Sequence, residues 1–265
     1  MIRVIRAEWR KLRRPTLFFG TLGAVGAIAV LTASIPYIAM DEPRRGREPG
    51  FTRIAIESYT GLSLGLAFAS TLLGIVALSV FASQTAQEYS HGTLRNLLVR
   101  QPRRMVLLGG KALSMALFGL LIVVETSLIS VVTSFFWANS KEISTDAWTS
   151  GGIGGEGISN LFTTLGNVSL ATIGFGIIGM LLGLILRSPI SSIAIGISWV
   201  MIVEGIVGAV WESTQKYLPG LLLTAVGSGG STTITYKWAL TTSILILIAA
   251  GALAALLFKK RDVSS

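Results

Sequence analysis

Six apolar runs set the limits on what this 265-residue chain can fold into. Each is long enough to cross a hydrocarbon core of roughly 30 Å as a helix rising about 1.5 Å per residue. They cover about Leu17–Met40, Gly61–Ser83, Met105–Ala138, Leu161–Leu186, Ile190–Trp211 and Trp238–Phe258. The third exceeds the length needed and is expected to tilt or project beyond the bilayer. Charged residues make up 13% of the chain, against about a quarter in a soluble domain. The expected fold class is therefore an all-α membrane protein with six transmembrane helices in one domain over residues 1–265. The first run is of full spanning length, unlike the roughly 7–15-residue apolar stretch of a cleaved signal peptide. Cysteine is absent, which excludes disulfides, a thiol nucleophile and thiolate metal ligands.

The net charge of +9 would point to nucleic acid in a soluble protein; in a membrane protein its distribution matters more. With six spans, both termini and the loops after spans 2 and 4 share one side. That side holds 15 of the 22 Lys and Arg residues, including Arg3 to Arg14, Arg95 to Lys111, Arg187 and the Lys259–Arg261 tail, against three acids. The other side balances seven basic with eight acidic residues. Positive-inside bias makes the first side cytoplasmic, and the expected location is the cell (inner, cytoplasmic) membrane. No nucleic-acid partner is expected.

Residues 1–14, MIRVIRAEWRKLRR, place Ile2, Ile5, Trp9 and Leu12 on one helical face with cations on most of the rest. This is the pattern of a helix lying in the membrane interface against anionic lipid, ended by Pro15. The alternative is a basic terminus that serves only to set topology. Asn139–Asn160 is Gly- and Ser-rich and is expected to be flexible. Between spans 5 and 6, Leu218–Val226 is apolar but too short to span, which predicts a re-entrant or interfacial hairpin.

Residues 88–104, EYSHGTLRNLLVRQPRR, form a compact basic insert between two apolar runs and hold the single histidine, His91. Span 2 is expected to continue helically to about Glu88, with Gly92 interrupting it and Thr93–Arg100 adding two turns. Leu94, Leu97 and Leu98 then share one face, while Arg95 and Arg100 point elsewhere. So short a helix is marginal in water unless its leucines are buried. They either fold back onto the membrane surface or fill a groove on a partner.

Several motif matches fail on context. Gly152–Gly157 fits G-x-G-x-x-G without a preceding strand, and Leu108–Lys111 resembles the end of a P-loop but has Met105 and Ala112 where Gly and Ser/Thr belong. Gly61-Leu-Ser63-Leu-Gly65 fits G-x-S-x-G, yet Ser63 and His91 lie at opposite ends of span 2. A His/Cys metal site is excluded by one histidine and no cysteine. Two acids, Glu125 in span 3 and Glu204 in span 5, fall in apolar surroundings, where a charge costs at least ~2.5 kcal/mol. Each either lines a translocation path or bonds one helix to another. Gly179-x-x-x-Gly183 fits close helix packing.

Glu88-Tyr-Ser-His-Gly92-Thr93-Leu94-Arg95-Asn-Leu97-Leu98, followed by Pro102-Arg-Arg104 and Lys111, resembles a recurring pattern of the type 2 exporter permeases of ABC transporters. The basic N-terminus is similar to that family's elbow helix, carried here by Ile5, Trp9 and Leu12, and six spans with a hairpin before the last match its architecture. The resemblance implies that 88–104 is a coupling-helix loop seated on a separate cytoplasmic ATPase subunit. Glu88, Gly92, Thr93, Leu94, Arg95, Leu97 and Leu98 would then take part in docking. It implies two permease chains, as homo- or heterodimer, with two ATPase chains; ATP and magnesium belong to the ATPase, and this chain binds no cofactor and catalyses nothing. The apolar interior mildly favours lipophilic or peptide-like cargo. A competing reading is an ion-coupled secondary transporter using Glu125 and Glu204, and a third is a non-transporting anchor or sensor subunit.

Overall fold

The computed structural model describes residues 1–40, 51–93, 97, 99 and 103–260. Among these there is no β-strand, only an isolated bridge between Met40 and Phe51. Among the described residues the α-helices with defined bounds are, in order, α1 Ile2–Leu12, α2 Pro15–Ile38, α3 Arg53–Glu57, α4 Leu64–Ser90, α5 Arg104–Ser140, α6 Asp146–Thr149, α7 Glu156–Leu186, α8 Pro189–Ser198, α9 Glu204–Val210, α10 Pro219–Gly227 and α11 Tyr236–Lys260. Among the described residues six stretches are long and apolar enough to cross a membrane: Pro15–Ile38, Gly61–Ser90, Arg104–Ser140, Glu156–Leu186, Pro189–Val210 and Tyr236–Lys259. They coincide with the six apolar runs of the sequence.

The centre of the bundle is the pair α4 and α7, and small residues explain their close approach. A Cβ on Gly179 would overlap the Leu78 carbonyl, and one on Gly183 would crowd the Ala82 carbonyl and Thr85. Glycine is what allows the two backbones to touch, with dispersion rather than water exclusion holding them in lipid. Higher along the pair, Phe175 lies over Gly74 and Phe81 over Gly176. Gly20 and Gly23 of α2 do the opposite: a Cβ on either would meet nothing within 4 Å.

The ends of the bundle differ. At one end, α3, α6 and short 3-10 turns close over α2, α4 and α5. Trp148 is fully buried there and donates its indole N–H to the Ile56 carbonyl at 2.9 Å, in a cluster with Tyr37, Leu62 and Ile143. The Gly/Ser-rich segment expected to be flexible is thus a folded cap, because Ile143 and Trp148 supply it with a core of its own. At the other end meet α1, the C-terminal ends of α4, α7 and α11, and the start of α5. Arg104 donates to the Phe258 and Lys259 carbonyls at 3.3 and 3.2 Å, satisfying groups that a helix end leaves open. Arg187 sits 5.6 Å from the Tyr89 ring centroid. These contacts put the chain's first helix and the ends of spans 2, 4 and 6 on one side, as an even number of crossings requires.

Candidate functional site

The basic end of the bundle is organised by four side chains from three helices. Lys111, one and a half turns or more inside α5, is only 3% exposed. Its Nζ donates to Glu8 Oε2 at 2.8 Å and to Glu88 Oε1 at 2.7 Å. Lys11 closes the figure from the opposite side, with Nζ 2.6 Å from Glu8 Oε1 and 2.7 Å from Glu88 Oε1. Two anions and two cations alternate around a ring that is neutral as a whole. Such closure is what permits Glu8, Glu88 and Lys111 to leave water, with Lys11 partly exposed at the rim: the desolvation cost is offset only when every buried charge is paired and hydrogen-bonded. Lys111 also donates to the Gln84 carbonyl at 3.4 Å.

The ring controls ionisation on α1. Burial opposes charge on Glu8, but Lys111 and Lys11 outweigh it and hold the carboxyl below the usual carboxylate range. Burial likewise opposes charge on Lys11, and Glu88 and Glu8 outweigh it, so the ammonium is held above the usual lysine range.

Around the ring, α1 is clamped to α5 by packing. A Cβ on Gly110 would crowd Val4, Ser114 Oγ donates to the Ile5 carbonyl at 3.2 Å, and Trp9 meets Phe118 edge-on at 6.4 Å. The face of α1 turned to the bundle therefore includes Glu8 and Leu12, 4% and 2% exposed, with Val4, Ile5 and Trp9 half-buried. Ile2, expected on the same stripe, is exposed. The buried face is centred on Glu8, which Lys11 of the same helix and Lys111 of α5 neutralise together.

Beyond Glu88, α4 ends as expected. Gly92 adopts φ +65°, a left-handed conformation that favours glycine, and its N–H donates to the Tyr89 carbonyl at 3.1 Å. Thr93 Oγ1 reaches back to the Glu88 carbonyl at 3.5 Å. Leu97 is half-buried against a cluster that includes Leu107, Leu108 and Phe258. Leu94, Arg95 and Leu98, also expected in docking, lie outside the described residues. Between α1, the end of α4 and this turn opens a polar cleft of about 510 Å³, lined by Lys11, Arg14, Gln87, His91, Thr93 and Leu97 among others.

The two intramembrane acids are placed in contrasting settings. Glu204 is 0% exposed. Its Oε1 accepts from the Trp199 indole N–H at 2.8 Å and the Gly220 N–H at 3.0 Å, and its Oε2 accepts from the Leu221 N–H at 2.9 Å. The carboxylate thus caps the N-terminus of α10, whose first N–H groups have no partner within their own helix. A π-helical turn, Trp199–Val203, precedes it and aims Glu204 across at α10. Gly220 is required at the contact, since a Cβ there would crowd Glu204 Oε2. Glu125 is half-buried, and its Oε2 has no hydrogen-bond partner. The two acids share no hydrogen bond.

Ser63 of the G-x-S-x-G match donates to the Thr60 carbonyl at 3.0 Å. His91 stands at the far end of the 27-residue α4, ~40 Å away. The Gly152–Gly157 match is a 3-10 turn followed by α7. Among the described residues no group of three His, Asp or Glu side chains is arranged to hold a metal.

Fold and sequence together define a helical, multi-pass membrane protein in which four charged side chains are joined in a ring at one end of the bundle. Residues 51–264 match the family described as protein of unknown function DUF2705, and the chain belongs to that family. No curated protein matches it.

Proposed function

We propose that this chain is the membrane-spanning permease subunit of an ATP-driven exporter of the type 2 ABC class, driven by an ATPase on a separate cytoplasmic chain. The observation that carries this reading is the charged ring beside the 88–104 loop. A loop that receives force from a motor needs a rigid base, and Glu88 ties the last turn of α4 to both α1 and α5. In this reading α1 is the interfacial elbow helix, with Leu12 anchored inward and its arginines at the headgroups. Leu94, Arg95 and Leu98 make the contact with the ATPase. Gly92 turns the chain into the loop, Thr93 braces that turn on α4, and Leu97 holds the loop to the bundle. Glu88 is then a positioning residue rather than a contact.

The basic end faces the cytoplasm by the positive-inside rule, with both termini there, and the Trp148 cap faces outward. The α10 segment is the re-entrant hairpin, fixed by Glu204. ATP-driven closure of two ATPase chains would draw two such loops together and switch a permease pair between inward- and outward-facing states. The cargo class that suits an apolar interior is lipophilic or peptide-like. Co-purification tests this. The native chain should bring down a protein that hydrolyses ATP, and a folded Leu94→Glu/Arg95→Glu variant should not. Equal recovery with both, or recovery with neither, would sink the reading.

A second reading, an ion-coupled secondary transporter, draws support from one observation: a carboxylate oxygen of Glu125 is withdrawn from solvent without a partner. It predicts transport that survives ATP depletion and is lost in Glu125→Gln.

A further inference from the structure

A groove of about 590 Å³ runs between one edge of α1 and the flank of α5. Its walls are apolar: Ile2, Ile5 and Trp9 on one side, and Leu117, Leu121 and Val124 among those on the other. One charged residue, Arg6, stands at its edge, and among the described residues no acid pairs with Arg6. The groove is held open by the contacts that clamp α1 to α5 on its opposite side, at Gly110, Ser114 and the charged ring.

We propose that this groove holds one acyl chain of an anionic phospholipid, with the lipid phosphate against Arg6. Three features select that occupant. The α5 wall belongs to a span, Arg104–Ser140, so the medium along Leu117–Val124 is lipid. The apolar walls with a single cation at one end have the polarity of an amphiphile with an anionic head. Charge complementarity excludes a zwitterionic or cationic head as the preferred one: α1 carries Arg3, Arg6 and Arg10, with Arg13 just past its end, and its single acid, Glu8, is already paired with two lysines. The lipid would fill the angle between α1 and α5, so α1 would leave the bundle only by giving it up. The inference rests on the reading of α1 as a helix at the membrane boundary.

The test uses the full chain in nanodiscs of phosphatidylcholine containing a minority of phosphatidylglycerol, with a photoactivatable group on the acyl chain of one lipid or the other. Peptide mapping should find adducts on Leu117–Val124, with phosphatidylglycerol labelling about fivefold more than phosphatidylcholine, the factor one well-placed cation contributes at a membrane surface. Arg6→Gln should bring the two lipids level, and Arg3→Gln should leave the preference intact. Equal labelling of the native chain by both lipids overturns the proposal, as does loss of preference in Arg3→Gln to the same degree. Lipid adducts elsewhere on the spans with none at Leu117–Val124 overturn it too, since protein would then cover the groove. The native-chain comparison needs no variant to fold. Absence of any lipid adduct on α1 would instead remove the membrane-boundary reading beneath it. A Leu94→Glu chain that has lost the ATPase should still label, so failure of the docking reading is seen separately.

Discussion

Two buried acids sit on opposite sides of the bundle's middle, and they are kept in place by different means. Glu88 is held by two lysines, within a ring whose members come from α1, α4 and α5. Glu204 is held by two backbone N–H groups and an indole, with no cation. A ring of four charges is demanding: each member supports two others, so one loss leaves an unpaired charge in a dry site. A backbone cap is local, and its loss frays one short helix. The first arrangement suits a junction through which separate helices must move as a unit. The second suits an element that needs only to be pinned.

That contrast makes graded predictions. Lys111→Met should be the most damaging change, leaving Glu8 and Glu88 short of a partner and lowering stability by about 3–5 kcal/mol. Thermal unfolding in detergent would show it, and adding Glu8→Gln to Lys111→Met should recover part of the loss. If the two losses simply add, the ring is not a coupled unit. Glu204→Gln keeps one acceptor and shape but places an amide among N–H donors, and should cost about 1–3 kcal/mol. Its effect on amide exchange should be confined to α10; exchange rising across α1 as well would erase the distinction between junction and pin.

The pH dependence sharpens the comparison further. Glu8 has a lowered carboxyl value, so its stabilisation is present above the unfolded carboxylate range and lost as pH falls through the lowered value. Lys11 has a raised value, so its share is complete below the unfolded lysine range and lost as pH rises through the raised one. The native chain should therefore lose melting temperature in acid more than Glu8→Gln does; parallel curves would contradict the ring's role. The smallest effect belongs to the exposed Arg53–Glu57 pair at the capped end, where Arg53→Gln should leave the melting temperature close to that of the native chain, since solvent screens an exposed ion pair.

How much of this the sequence disclosed depends on the range of the interactions. Spans are local and additive, so uninterrupted apolar length revealed all six. Gly179 and Gly183 were legible as a packing pair because small residues four apart share a face, though nothing in the spacing named Leu78 and Ala82 as what they touch. The short apolar α10 was visible, but not its cap, since Glu204 and Gly220 are joined only when a π-helical turn aims one at the other. The ring was not legible as a ring. Glu8 and Lys11 lie 77 or more residues from Glu88, and periodicity carries no information on which distant charges pair. A signal was nevertheless present: Glu8 is the lone acid in a strongly basic helix, four residues before the buried Leu12. The Gly/Ser-rich segment Asn139–Asn160 misled because composition averaged away Ile143 and Trp148, the two residues that fold it.

The central claim, that the loop after Gly92 seats an ATPase, is best tested by cross-linking from single positions. The chain has no cysteine, so Leu94→Cys and Ile153→Cys each introduce one reactive thiol, at the loop and at the opposite end of the bundle. In native membranes, after alkylation with a thiol-reactive benzophenone and irradiation, Leu94→Cys should cross-link to a protein that photolabels with an azido-ATP analogue, and Ile153→Cys should not. No such adduct from Leu94→Cys, or one of equal yield from Ile153→Cys, would contradict the account.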